Sequence, residues 1–378
     1  MAIQAAFTLT ANEIYESLAN MIISQEVFAD NLGKHQTLVD KARVDGGLFG
    51  DTKLYYSTDV LESHAWGNDA EAANLLALDR PEDPEVQAIK LDIFRQIRLT
   101  LDNYMTKRAF SSEGTFSQFN GVMLGWMKET KKVYDGTLYN VFIGTTESSV
   151  GSQMQSVDIT TARGSASTEE EANRLEAEAI AQKIANLLVE MGDYSREFND
   201  YGHLRSYGEE AIKVIWNSEE LNKIKKVDLP TIFHKEGLVD KMDEDVLPAK
   251  YFGHVVGADD IGSGKIIGTD GAYDSSKGTL RAVREFVYND RHYFPGDALA
   301  TSGTYVAVVG GLEAKDVYVE DAKVICKVLV KLPPLMSAFE VGTTFWNPRA
   351  LCENHYLTFG HNSLAYLKNY PFITVKAI

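Results

Sequence analysis

FSQFNGVMLGWMKETKKVYDGTLYNVFI, residues Phe116 to Ile143, is the stretch around which the rest of the chain is organised. Apolar or permissive side chains fall at Phe116, Phe119, Met123, Trp126, Thr130, Val133, Thr137 and Val141. Alternating steps of three and four put them on one stripe of an α-helix. Trp126 is therefore expected in a packed interface and Lys131 away from it. Thr115 followed three residues later by Gln118 has the form of a capping box, and Gly144 stands where helices commonly end. Such a helix is roughly 40 Å long, well beyond the usual three turns. Gly121, Gly125 and Gly136 each cost about 1 kcal/mol against alanine, so the helix is expected to bend or pack closely there. A core helix of a large α+β enzyme would fit, as would a strut along which a long flat subunit is built. The flanking elements favour the strut.

Upstream lies the clearest strand. Ile89, Leu91, Ile93, Ile97, Leu99 and Leu101 take odd positions, and Lys90, Asp92, Gln96, Arg98 and Thr100 even ones. Only Phe94 and Arg95 break the alternation, and Arg95 reads as part of the polar face with Lys90, Asp92 and Arg98. Thirteen residues of strand reach roughly 43 Å, twice the common length. Before it, Glu62 to Pro84 is polar, acidic and proline-bearing, ending DRPEDP. Thr52 to Val60 (TKLYYSTDV) is rich in strand formers, and Asp45-Gly46-Gly47 signals a turn. Residues 1–35 read as a short amphipathic arm with Ile14, Leu18, Met21 and Ile22 on one side.

Downstream, residues 146–167 are small and polar and read as a loop or boundary. Ser167 with Glu170 is expected to cap a second helix carrying Leu175, Ala179, Ile184, Leu187 and Met191 to Gly192. A buried strand at Ile212 to Trp216 and a short helix at Glu219 to Ile224 complete a compact α/β region over about 150–250. Residues 253–312 are glycine-rich, with loops and short strands. Val324 to Lys331 alternates as a half-buried strand with Cys326 inside, Pro333-Pro334 stops it, and Phe345 to Ile378 supplies further strand.

The chain has 378 residues, enough for a sizeable core in two or three domains. No run of eighteen apolar residues occurs, so no membrane segment is expected, and the N-terminus lacks the form of a signal peptide. The two cysteines, Cys326 and Cys352, fit a reducing compartment. A formal net charge of −17 argues against a module that reads DNA or RNA, and it suits the lining of a container to which nucleic acid must not stick.

No recognisable catalytic pattern occurs. Gly262-Ser263-Gly264-Lys265 lacks the rest of a phosphate loop, with Asp259 in place of its first glycine and Ile266 in place of Ser or Thr. His355 and His361 lie six apart, on opposite sides of a helix or on one face of a strand, without a third ligand nearby, and read as structural or surface histidines. Asp240, Asp243 and Asp245 resemble a calcium loop only faintly, with Asp245 where its glycine belongs and Tyr251 at its last ligand position. No catalytic, cofactor-binding or metal-binding residue is assigned, and no cofactor is expected.

The order of elements resembles the major capsid protein of tailed bacteriophages, the Hong Kong 97-type fold. The texture of TANEIYESLANMIISQEVFADNL, IRLTLDNYMTKRAF, VYVEDAKVICKVLVKL and NPRALCENHYLTFGHNSLAYLKNYPFITVKAI is similar to head proteins of small podoviruses. The resemblance implies an α+β Hong Kong 97-like capsid fold with a long spine helix, extended two-stranded loop, compact axial domain and peripheral sheet. On this plan residues 1–35 form the N-terminal arm and 36–101 the extended loop. Residues 102–149 form the peripheral domain with the spine helix, 150–319 the axial domain and adjoining strands, and 320–378 the peripheral return.

The implied function is self-assembly into an icosahedral head enclosing double-stranded DNA, without sequence-specific contact to it. The implied homo-oligomers are pentamers and hexamers in a shell, with Lys53, Tyr55, Arg95 and Arg98 as inter-subunit contact candidates. The resemblance also implies a portal partner, no membrane, and a virion location after assembly in the host cytoplasm. Because the arm is short, a separate scaffolding protein is expected. The rival readings are a soluble α/β hydrolase or transferase with an unrecognised site, and another virion component such as a portal or tail protein.

Overall fold

A computed structural model describes residues 37–46, 52–63, 80–102, 113–226, 243–257, 278–288, 291–300 and 316–378. The expected arm, most of Glu62 to Pro84, and the Gly262 to Lys265 stretch lie outside the described residues. Within them run α1 (Thr37–Ala42), β1 (Arg43–Asp45), β2 (Thr52–Ser57), β3 (Glu85–Asp102), α2 (Glu113–Thr145), β4 (Met154–Val157), α3 (Ile159–Gly164) and α4 (Glu169–Gly192). Then follow β5 (Lys213–Asn217), α5 (Ser218–Lys226), β6 (Asp243–Leu247), β7 (Gly253–Val255), β8 (Leu280–Ala282), β9 (Phe286–Tyr288), β10 (Arg291–Tyr293) and β11 (Ala298–Ala300). The chain closes with β12 (Val317–Glu320), β13 (Val324–Leu329), β14 (Leu335–Asn347), β15 (Cys352–Asn362) and β16 (Phe372–Ala377). Two compact units form. The first draws on residues up to Asp51, Lys90–Tyr139 and Leu335–Ser363, the second on Thr52–Ile89, Asn140–Pro334 and Leu364–Ile378.

In the first unit β14, β15 and β3 make an antiparallel sheet, with β1 parallel on the start of β14. Strand β3 has 18 residues, and its burial alternates without interruption along Ile89 to Leu101. Phe94 and Arg95 therefore do not break the alternation. Arg95 lies on the covered face, its guanidinium 4.8 Å from the centre of the Tyr134 ring, and Phe94 is turned outward. Arg95 is thus not part of the polar face with Lys90, Asp92 and Arg98.

Helix α2 is present and long, 33 residues or about 50 Å. Its buried line departs from the expected stripe between Trp126 and Thr137 and meets it at Val141, while the side chains of Phe116, Phe119 and Met123 lie outside the described residues. Met127, Lys131, Tyr134, Asp135 and Tyr139 are buried, whereas Trp126 is 40% exposed. The true face is rotated by one residue, about 100°, because it carries a buried ion pair that an apolar pattern cannot reveal. Lys131 Nζ lies 2.9 Å from Asp135 Oδ2, and Arg43 Nη2 lies 3.1 Å from the same oxygen. Tyr134 shares a 3.0 Å hydrogen bond with Nε2 of buried His361, whose Nδ1 is 2.9 Å from the Asn362 carbonyl. Burial pushes the His361 pKa down, which keeps the ring neutral and able to accept from the tyrosine. Both histidines of interest sit on β15, in structural roles; His355 lies 3.1 Å from Thr344 Oγ1.

The helix begins at Glu113, so Thr115 lies two residues inside it rather than at its N-cap position. Among the described residues nothing stands within 4 Å of where a side chain on Gly121 or Gly125 would go, so close packing on them is not the reason for these glycines. Gly144 is the glycine that packing requires. It lies within the last turn, and a Cβ on it would stand 1.9 Å from the Tyr251 carbonyl oxygen. Tyr251 is in turn buried with Val141 and Tyr318.

The second unit is built on the sheet β4-β16-β13-β5-β6. Helix α4 covers one face, its Ile180, Ile184, Leu187 and Met191 sharing one core with Val214, Cys326, Val328, Ile373 and Val375. The α/β region expected over 150–250 thus completes its core with β13 and β16 from the C-terminal segment. Every residue of β13 is buried, correcting the half-buried reading, since β5 and β16 flank it. The capping box of α4 is displaced by one residue: Thr168 Oγ1 accepts from the Glu171 N–H, and Glu171 accepts from the Ser167 N–H. The expected loop at 146–167 contains β4, which is held parallel to β16, and the short helix α3. Asp243 and Asp245 lie in β6 rather than in a loop, with Asp245 2.5 Å from Lys213 Nζ. A smaller sheet, β11-β8-β12-β7, and the β9-β10 hairpin belong to the same unit.

Opposite α4, Lys327 is wholly buried in the middle of β13. Its Nζ donates to the Thr146 carbonyl just beyond α2 and to Thr374 Oγ1, both at 2.7 Å. A cation at a helix C-terminus is favoured by the helix dipole, but burial dominates and lowers the pKa to about 7. The unfolded chain holds this proton up to its ordinary pKa of 10.5, so native stability should rise with pH between those values. Lys327→Met removes the titration. In urea unfolding from pH 6 to 9, the parent is expected to gain on the variant above pH 7 by up to about 1.4 kcal/mol per pH unit. A constant difference would show that the amine does not titrate there.

Candidate inter-subunit surface

One face of the first unit's sheet is open. Register brings Phe94 beside Gly360, Gln96 beside Thr358, Arg98 beside Tyr356, and Thr100 beside Asn354. On β14, Val341, Thr343 and Phe345 continue the same rows opposite Thr358, Tyr356 and Asn354. Phe94 is 60% exposed and Phe345 62%, with Val341 at 42%. Between them, polar side chains bond one another in the plane of the face. Gln96 Nε2 donates to Thr358 Oγ1 at 3.1 Å, Arg98 Nε to Gln96 Oε1 at 3.1 Å, and Thr100 Oγ1 to Asn354 Oδ1 at 2.7 Å. A surface of exposed aromatic anchors among satisfied polar groups is what protein interfaces use.

The same sheet has open strand edges. Strand β1 covers β14 only at Leu335 to Ser337, so Glu340 to Asn347 has no partner on that side among the described residues. An unpaired edge is a template for another chain. Strand β2 closes the other end of the order and exposes Leu54 and Tyr56.

The four expected contact residues are divided between the units. Arg98 is exposed on the open face, while Arg95 is half-buried against Tyr134 beneath it. Lys53 and Tyr55 are half-buried on β2, with Lys331 Nζ 5.8 Å from the centre of the Tyr55 ring. Their neighbours Leu54 and Tyr56, with Phe94, Val341 and Phe345, are the more exposed groups. Phe94 was the available signal, as an aromatic residue on the polar register of a strand.

No cluster of three His, Cys, Asp or Glu side chains able to hold a metal occurs among the described residues. No described helix is long and apolar enough to cross a membrane.

A family model for the Phi29-like phage major capsid protein matches residues 2–258. The chain belongs to that family. This capsid protein is a structural component of the virion, assembling into a shell of oligomers, and is not an enzyme. Its mixed helix-and-sheet architecture is the Hong Kong 97-like capsid fold. The capsid structure of Staphylococcus phage Andhra is similar over 89% of this chain and 83% of its own, with 10% identity and a TM-score of 0.54. A structure of the head fiber and inner core protein gp22 of native bacteriophage P68 is similar over the same shares, with 11% identity and a TM-score of 0.55. At such identities the likeness is one of fold. No curated protein sequence matches the capsid protein. The enzyme and portal readings are not favoured.

Proposed function

We propose that copies of this capsid protein tile the icosahedral head of a tailed phage as pentamers and hexamers around its double-stranded DNA. The observation that carries this reading is the open sheet face with its exposed Phe94, Val341 and Phe345 beside an unpartnered edge, in a chain of a capsid family. Neighbouring copies cover that face and edge. Arg98, Lys53 and Tyr55 lie at or near the contacts, and Arg95 supports the sheet from its covered side. The parts are an arm at 1–35, an extended loop within 36–101, the spine helix within 102–149, an axial domain at 150–319 and a peripheral return at 320–378. The return also contributes β13 and β16 to the second unit's sheet. The acidic chain lines the container and makes no sequence-specific contact with the DNA. Assembly takes place in the host cytoplasm with a separate scaffolding protein and a portal.

Electron microscopy of the protein expressed alone and with the neighbouring phage gene products tests this. Alone it should give monomers, small oligomers or irregular aggregates, and with them uniform closed shells. Replacing Glu62 to Pro84 by a short Gly/Ser link should leave a cooperatively folded subunit by circular dichroism and abolish or misdirect those shells. Homogeneous shells from the chain alone would remove the scaffolding partner. Normal shells from the replacement would remove the bridging role of the extended loop.

A further inference from the structure

Asp59 follows β2 and Gln87 stands near the start of β3, both within the second unit, and both are held by directional polar contacts. Asp59 Oδ1 accepts the Leu204 N–H at 2.9 Å and the Val60 N–H at 2.8 Å. Its Oδ2 pairs with Arg196, which also donates to the Gly202 carbonyl at 2.9 Å. Arg205 Nη2 donates to the Thr58 carbonyl at 2.6 Å, and buried Ser57 donates to Asn369 Oδ1, also at 2.6 Å. At the other end the Gln87 amide makes two bonds to one short stretch of backbone. It donates to the Tyr366 carbonyl at 2.8 Å and accepts the Lys368 N–H at 2.9 Å.

The Leu204 N–H, with Arg196 and the Val60 N–H, holds the Asp59 carboxyl well below the usual carboxylate range, so it is ionised at any physiological pH.

Each of these contacts fixes an angle as well as a distance. What they hold in place is apolar and exposed: Val60 and Leu61, 53% and 78% exposed, directly after Asp59, and Val86 directly before Gln87. Exposed apolar side chains gain nothing for the lone subunit. They are preorganised for a contact, which lowers the ordering cost of making it.

We infer that Ser57, Asp59 and Gln87 are positioning residues for assembly: they clamp both ends of the β2–β3 connection so that Val60, Leu61 and Val86 are presented to a second copy of this chain. The inference rests on the reading of Glu62 to Pro84 as an inter-subunit bridge and adds to it the device that aims the bridge.

The test uses the full chain carrying Asp59→Ala with Gln87→Ala, expressed with the neighbouring phage gene products. The variant should melt cooperatively and show about tenfold faster hydrogen exchange at the Leu204 and Lys368 amides. Uniform closed shells should fall about tenfold, replaced by particles of mixed size and open fragments. Asp59→Asn, which keeps an oxygen for the Leu204 N–H, should recover most of the uniformity. Parental shells from a variant with accelerated exchange would overturn the inference. If the double variant does not fold, Arg196→Ala carries the same test, since it removes one half-exposed arm of the clamp. Parental shells from that variant would be equally fatal. The Gly/Ser replacement of Glu62 to Pro84 separates the two claims. Normal shells from that replacement overturn the bridge reading, whereas normal shells from the clamp variants alone overturn only the clamp.

Discussion

Lys131→Glu is expected to destabilise the first unit by about 3–5 kcal/mol. Lys131 and Asp135 are both buried, with side-chain exposures of 6% and 3%, and their charged atoms are 2.9 Å apart. The substitution replaces the attraction by two carboxylates facing each other in a site with little water. Arg43 at 3.1 Å from Asp135 relieves part of that repulsion but is itself only one-third exposed and cannot serve both. Trp126→Asp, at a site 40% exposed, should cost clearly less, about 1–2 kcal/mol. The contrast reverses what the apolar spacing alone would forecast. Urea unfolding followed by near-ultraviolet circular dichroism measures both. Equal midpoints for parent and Lys131→Glu would mean that the pair is not buried. An unfolded Trp126→Asp would restore the stripe read from the sequence.

Gly144→Ala is expected to cost about 3 kcal/mol, at the upper end for overpacking. The added carbon would meet the Tyr251 carbonyl oxygen at 1.9 Å and its carbonyl carbon at 2.5 Å. Both obstacles are backbone, so no rotamer change can clear them. Gly121→Ala in the same helix meets nothing within 4 Å. It should stabilise by about 0.5–1 kcal/mol through the loss of unfolded-chain freedom. Denaturant midpoints of the two variants therefore move in opposite directions from the parent. A Gly144→Ala protein as stable as the parent would show that the helix end does not approach Tyr251 this closely.

Much of this was legible in the sequence, and what was not has a common cause. The alternation of β3 and the length of α2 are local patterns of burial, so spacing recovers them. The face of α2 was lost because Lys131 and Asp135 satisfy each other inside, which makes two charged residues behave as core. Lys327 hid in the same way on β13. Strand β4 was read as loop because MQSV has little strand character of its own, and its pairing with β16 comes from the far end of the chain. In the candidate surface, Phe94 was visible as a misfit and its meaning was not. The clamp was illegible altogether. Asp59 meets Leu204 across 145 residues and Gln87 meets Tyr366 across 279, and no motif links them.

The interleaving of the two units has a kinetic consequence. In the first unit β15 lies between β3 and β14, and in the second β16 lies between β4 and β13. Neither sheet can close while those late residues are still inside the ribosome, so a nascent chain has no finished unit to offer a neighbour. Folding waits on synthesis, and the dominance of such distant pairings makes it slow once it begins. Copies therefore become competent to join a shell only once β15 and β16 have emerged and paired.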